Sequence, residues 1–178
     1  MERRHRIDRS PQQTAPMSVE RAAFIAAMRQ VAATVTVVTT DGPFGLAGAT
    51  VSAFTSLSAD APSVLVCLRS DSQIARRVTE NRGFCVNVLP EDAVEIARAF
   101  AGPSPVDSAE RFRGLDLTAD VHGPILPRAT AFSCILTDQM HHGSHAICIG
   151  SVTRLTIAGE MPLAYLSGGY HIVRPHKD

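Results

Sequence analysis

Residues 45–67 read GLAGATVSAFTSLSADAPSVLVC, a stretch dense in small residues and hydroxyls: Gly45, Gly48, Ala49, Thr50, Ser52, Ala53, Thr55, Ser56 and Ser58. Apolar runs that read as strands flank it. Small residues remove the steric wall along a strand and leave backbone N–H groups and hydroxyls as donors, so a flat, polar-edged group can approach the backbone closely. A Gly/Ser-rich hairpin without a ligand is the other reading of the same residues.

On the N-terminal side, the β-branched run Thr34 to Thr40 is a strand, Asp41-Gly42-Pro43 is a turn, and Gly45 to Phe54 returns as the second arm of a hairpin. On the other side, Ser63 to Leu68 is a continuous apolar strand. Ser70 or Asp71 caps a helix through Ile74, Val78 and Thr79 that Gly83 stops, and Phe84 to Leu89 is again a strand. Pro90-Glu91-Asp92 opens a helix to about Phe100, and Ala101 to Ala109 is a loop. Ala129 to Thr137, Ala146 to Ile157 and Leu163 to Val173 are three further strands, the middle one long enough to bend around a barrel. Before all of these, Ser18 is an N-cap and Glu20 a first-turn acid for a helix to about Ala32, with Phe24, Ile25, Met28 and Val31 on one face. Residues 1–17 read as a disordered tail and residues 18–178 as a single domain. Helices and strands do not alternate regularly, which excludes a doubly wound sheet. A mainly β, antiparallel barrel with a few covering helices fits better, because closure removes exposed sheet edges.

Lys+Arg and Asp+Glu are equal at 17 each, so the chain lacks the basic footprint of a nucleic-acid binder. No apolar run approaches the roughly 18 residues of a membrane-spanning helix. The four cysteines, Cys67, Cys85, Cys134 and Cys148, are far apart, form no CxxC pair and lie in apolar runs, the pattern of buried free thiols in a reducing cytosol. Arg3, Arg4, Arg6 and Arg9 have no apolar segment behind them, so no secretory or twin-arginine signal is read and the expected location is cytoplasmic.

Gly42, Gly45 and Gly48 follow a strand, but their GxxGxxG spacing leads into strand-like TVSAF rather than a helix able to hold a pyrophosphate. A P-loop, a GxSxG elbow and an HExxH helix are missing too. His141, His142 and His145 in MHHGSH lack a carboxylate or thiol at ligand spacing, so no metal site is read there. Either His145, at the start of a strand, faces a pocket, or all three are solvated turn residues.

GATVSAFTSLSADAPSVLVC at 48–67 resembles the signature of the flavin reductase-like family with the FMN-binding split barrel. GFCVNVL at 83–89, ERFRGLD at 110–116, GSHAICIGSV at 143–152 and PLAYLSGGY at 162–170 support the likeness, in order and over most of the chain. The resemblance implies a Greek-key-like split β-barrel and an NAD(P)H:flavin oxidoreductase. Such an enzyme passes hydride from NADH or NADPH to FMN or FAD and supplies reduced flavin to a partner monooxygenase, commonly as a homodimer. It implies flavin contacts from Thr50, Val51, Ser52, Ala53, Ser56 and Leu57, phosphate contacts from Ser72, Gln73 and Arg111, a contribution from Tyr170, and His145 beside the nicotinamide. From the residues alone, Ser72 is equally an N-cap and Arg111 a solvated charge. Ser144 and Ser167 depart from the aspartate and arginine common in the family. A tightly FMN-bound electron carrier and a non-catalytic flavin-binding module are the alternatives.

Overall fold

The computed structural model describes residues 19–102 and 108–176. The expected tail and the Ser18 cap lie outside them, as does part of the 101–109 loop. The chain folds as α1 (Arg21–Met28), β1 (Ala33–Thr34), β2 (Thr36–Thr40), β3 (Ala47–Val51), β4 (Phe54–Ser58), β5 (Ser63–Arg69), α2 (Gln73–Asn81), β6 (Gly83–Val88), α3 (Val94–Ala99), a 3-10 turn at Ser108–Phe112, β7 (Thr130–His142), β8 (His145–Thr156), β9 (Leu163–Leu166) and β10 (Gly169–Ile172). A seven-stranded antiparallel sheet runs β3-β2-β6-β7-β8-β5-β4, and a small sheet runs β1-β9-β10.

The two edges of the large sheet, β3 and β4, are consecutive in the chain and separated only by Ser52 and Ala53. A chain can pass from one edge to the other this directly only if the sheet curls on itself. The expected single strand from Gly45 to Phe54 is therefore two strands meeting at a corner. Neither Ser52 nor Ala53 has a ladder partner, and the Ala53 carbonyl accepts the Cys67 N–H at 3.0 Å, tying the corner to β5. This corner is the seam of the barrel, and residues 45–67 supply both of its lips.

Other boundaries move for local reasons. The strand read over Thr34 to Thr40 breaks at Val35, whose N–H and carbonyl pair with Leu163 and Leu89, so β1 joins the small sheet and β2 the large one. The strand read over Leu163 to Val173 is a hairpin. Ser167 (φ 53°) and Gly168 (φ 85°) both adopt the left-handed conformation that a tight two-residue turn demands. Glu20 is the N-cap of α1, its carboxylate accepting the Ala23 N–H at 3.0 Å. Ser72, not Ser70 or Asp71, caps α2, and Arg82 at φ 61° rather than Gly83 ends it. Gly83 opens β6 instead, where a Cβ would lie 2.5 Å from the His122 ring. Pro90 does not open α3: it bridges to Pro162, and the helix starts at Val94.

Two apolar clusters hold the layers together. One, including Val38, Val66, Val78, Phe84, Cys134 and Cys148, fills the barrel beneath α2. The other, including Val37, Leu89, Phe100, Phe112, Leu126 and Leu163, lies under α3 and the small sheet. Between them Asn87, fully buried, donates to the Val37 carbonyl and Thr39 Oγ1 and accepts the Leu126 N–H at 2.9 Å, so a polar group is buried without loss of hydrogen bonds. Among the described residues no helix is long and apolar enough to cross a membrane.

Candidate functional site

A cavity of about 580 Å³ opens between β3, the end of β5, the start of α2 and the end of α3. Its wall includes Thr50, Val51, Ser52, Ala53, Ser72, Gln73, Arg111 and His145, which the fold collects from segments nearly a hundred residues apart. Three expected residues are not on this wall. Ser56 and Leu57 lie in β4, beyond the corner, and are exposed. Tyr170 follows β10 into the small sheet, edge-on to Tyr165 with ring centroids 5.3 Å apart and with the Arg98 guanidinium 5.8 Å from its ring centre.

The floor is fixed by hydrogen bonds to the end of α3. Thr50 donates its N–H to the Phe100 carbonyl at 2.9 Å and its hydroxyl to the Ala97 carbonyl at 2.7 Å. Arg111 donates to the Phe100 carbonyl at 2.6 Å and to the Gly102 carbonyl at 2.8 Å. A cation at a helix C-terminus meets the negative end of its dipole, so the guanidinium clamps the helix while it faces the cavity. Burial lowers the Arg111 pKa, yet a guanidinium remains charged in proteins.

Opposite stands the N-terminus of α2. Ser72 Oγ accepts the Ala75 N–H at 3.3 Å and donates to the Arg69 carbonyl at 2.6 Å, and no acid occupies the first turn. Helix N–H groups and an arginine facing one cavity make a seat for an anion. Beside it, Arg69 grips Asp71 with two hydrogen bonds of 3.0 and 2.6 Å.

His145 is the first residue of β8 and lies opposite Arg69 in the ladder with β5. Its Nδ1 is 3.1 Å from Ser144 Oγ. The Ser144 carbonyl accepts the Ser70 N–H at 2.9 Å, and Ser70 Oγ lies 3.2 Å from His141 Nδ1. These contacts bolt the β7–β8 turn to the segment that caps α2. His141 and His142 belong to β7 rather than to a loose turn, and neither lines this cavity. Among the described residues no group of three or more His, Cys, Asp or Glu side chains could hold a metal ion.

Gly48 and Ala49, named among the small residues that open the backbone, are also on the wall, and sequence reasoning missed Cys67, Leu68, Arg69, Asp71, Ile74, Phe100 and Gly102 there. A signal for Cys67 and Arg69 was present, since they fall on the less buried positions of β5, alternating with Val64, Val66 and Leu68. Phe100 and Gly102 carry no local signal, because only the packing of α3 on β3 brings them in. Of the thiols, burial pushes Cys85 and Cys134 up to about 12 and Cys148 to about 11, whereas Cys67 is half-buried on the cavity wall.

Residues 28–174 match the model of the family described as flavin reductase like domain. The chain belongs to this family. Within the flavin reductase like domain family it is 37% identical to the FMN reductase (NADH) RutF 2 of Methylorubrum extorquens strain PA1, over 92% of this chain and 95% of that one. It is also similar to the NADH:FAD oxidoreductase SgcE6 of Streptomyces globisporus C-1027, solved with NAD and FAD fragments, with a TM-score of 0.81 and 26% identity over 89% and 96% of the two chains. BorF, the flavin reductase component of a bacterial two-component tryptophan halogenase, gives a TM-score of 0.79 and 26% identity over 88% of this chain and all of BorF.

Proposed function

We propose that the chain is an NADH-dependent flavin reductase that takes up FMN or FAD, reduces it and releases it to a partner monooxygenase. The observation that carries this reading is a single cavity that joins a strand of small residues, an anion seat and a histidine. Its volume, about 580 Å³, is within the usual range for small-molecule sites. The donor set fits a flavin phosphate ester: small residues of β3 for the flat ring, and the α2 N-terminus with Arg111 for the phosphate. The names of the relatives support NADH as donor and FMN or FAD as acceptor.

Flavin, when bound, supplies the hydride-accepting ring, and NADH supplies the hydride from its nicotinamide. The chain's own residues position and polarise. Ser52 and Ala53, outside both ladders at the seam, offer backbone groups to the pyrimidine edge, where N–H donors stabilise the negative charge that builds up on reduction. Thr50 and Arg111 keep β3 and α3 in fixed relation, so the ring wall and the phosphate seat do not drift apart. Alignment of two rings at near-attack distance is itself a large part of the rate enhancement. His145, at the rim with Ser144 on its Nδ1, orients the nicotinamide or handles a proton.

We further propose a homodimer, a single domain from residue 18 onward, and a cytoplasmic location. Phe24 and Met28 of α1, Val31 just after it, and Leu57, Ile135 and Met140 on the large sheet are exposed apolar side chains of the kind a second copy can cover. Four free thiols suit a reducing compartment. Steady-state NADH oxidation with added FMN, FAD or riboflavin tests the activity. Flavin-stimulated turnover is expected, and no stimulation by any flavin refutes it. Yellow colour that survives desalting would instead favour a resident flavin.

A further inference from the structure

The cavity wall carries one feature that a phosphate seat does not need: a carboxylate. Asp71 directly precedes the Ser72 cap of α2, lines the cavity, and holds Arg69 through two hydrogen bonds of 3.0 and 2.6 Å. Arg69 lines the same cavity and is engaged by an anion of the chain itself, while Arg76 of α2 donates to the Asp71 carbonyl at 3.4 Å. Arg111, the other arginine on the wall, already donates to the Phe100 and Gly102 carbonyls. The Arg69 hydrogen bond, foremost, holds the Asp71 carboxyl below its ordinary pKa. A dianionic phosphate monoester arriving at the α2 N-terminus meets the attraction of the helix dipole and Arg111 and the repulsion of the Asp71 charge. It must also compete for Arg69.

We propose that Asp71 is a specificity-determining residue that loosens the hold on the flavin phosphate, by engaging Arg69 and by its own charge, and so keeps flavin an exchanging substrate rather than a resident group. This rests on the reading of the cavity as a flavin site. The penalty falls on the phosphate and not on the ring, so it weakens FMN and leaves riboflavin, which has no phosphate, unaffected. Both side chains are 69% exposed, so the effect is the modest one of solvent-screened charges.

The test is equilibrium binding of FMN and of riboflavin, followed by quenching of flavin fluorescence, to the full chain and to Asp71→Asn, with Asp71→Ser as a second variant and thermal melts as a check on folding. Asp71→Asn is nearly isosteric, and an exposed site tolerates it. We expect FMN to bind about two- to fivefold more tightly to either variant. Riboflavin affinity should be unchanged, and the FMN gain should shrink as salt is added. Arg69→Ala in the Asp71→Asn background should lose part of that gain. An equal shift for both flavins would show that Asp71 only shapes the pocket, and no shift for FMN would show that it does not touch the phosphate. Either result overturns the proposal while leaving the flavin site standing. If the unaltered chain binds neither flavin, the site reading falls and the proposal with it.

Discussion

Gly48 is the point at which the barrel, α3 and the cavity meet, and its replacement by alanine tests whether they act as one unit. A Cβ at Gly48 would lie 2.7 Å from Phe100 Cε1 and 2.7 Å from Phe112 Cζ, about 0.7 Å inside the 3.4 Å at which ordinary contact begins. Both rings are in the core, 0% and 5% exposed, and they pack edge-on at 4.8 Å, so neither can swing aside without displacing the other. Overpacking of this kind costs about 1–3 kcal/mol. In a chain of this length that lowers Tm by roughly 3–10 °C. The strain does not stay in the core, because the Phe100 carbonyl is the shared acceptor of the Thr50 N–H and Arg111. If about 1 kcal/mol of it moves the end of α3, FMN binds about fivefold more weakly. Urea unfolding and fluorescence titration with FMN measure the two effects. Gly150→Ala is the matched control: its Cβ would meet Phe84 Cζ at 2.5 Å and Cys134 Cβ at 2.7 Å, but Gly150 does not line the cavity. That variant should lose stability and keep its FMN affinity. A Gly48→Ala protein as stable as the original, or one whose FMN affinity changes no more than that of Gly150→Ala, would refute the coupling.

His145→Ala should raise the KM for NADH or slow hydride transfer while FMN binding holds, and unchanged steady-state kinetics would remove His145 from the site. Cys67 should be the first thiol to react with a disulfide reagent in the folded protein, and FMN should protect it. Rapid labelling of Cys85, Cys134 or Cys148 before unfolding would contradict the burial that raises their pKa values. Asp120, with a fully buried side chain, is pushed up by burial but pulled down further by hydrogen bonds from Ser133 Oγ and the His122 N–H and by the charge of Arg154, 2.8 Å away, so its net shift is downward. A carboxylate depressed in the folded state stabilises above its unfolded pKa of about 3.9, and the stability is lost as pH falls through the folded value. Asp120→Asn should therefore be less stable at pH 7 and show a flatter acid limb in urea midpoints taken from pH 6 to pH 2. An acid limb as steep as the original would refute this.

The strands of the large sheet were legible wherever a β-branched or apolar run stood between turn residues, as at Ser63 to Leu68 and Phe84 to Leu89. The seam was not. Ser52 and Ala53 read as an unbroken continuation of a strand, because nothing in TVSAF itself says that two halves of it pair at opposite edges of one sheet. Likewise Pro90 carries a helix-start signal, and a bridge to Pro162, a partner 72 residues away, overrides it. Within the site, the small run at 48–53 was legible as a stretch that leaves the backbone open, and the cap of α2 was legible to within two residues. The pairing of Arg69 with Asp71 was not. Their significance comes from facing the same space as Arg111, which is a fact of packing. Tyr170 illustrates the converse: its motif was recognisable, yet the Ser167-Gly168 turn sends it to the small sheet and away from this cavity wall.

This cavity is proposed to bring NADH and flavin together for direct hydride transfer. Anaerobic mixing of the full chain with FMN and NADH, followed through the visible absorbance of oxidised flavin, tests it most directly. Rapid bleaching is expected, dependent on the protein and slower with NADH deuterated at the transferred position of nicotinamide C4. Flavin that stays oxidised, or bleaches no faster than without the protein, would contradict it.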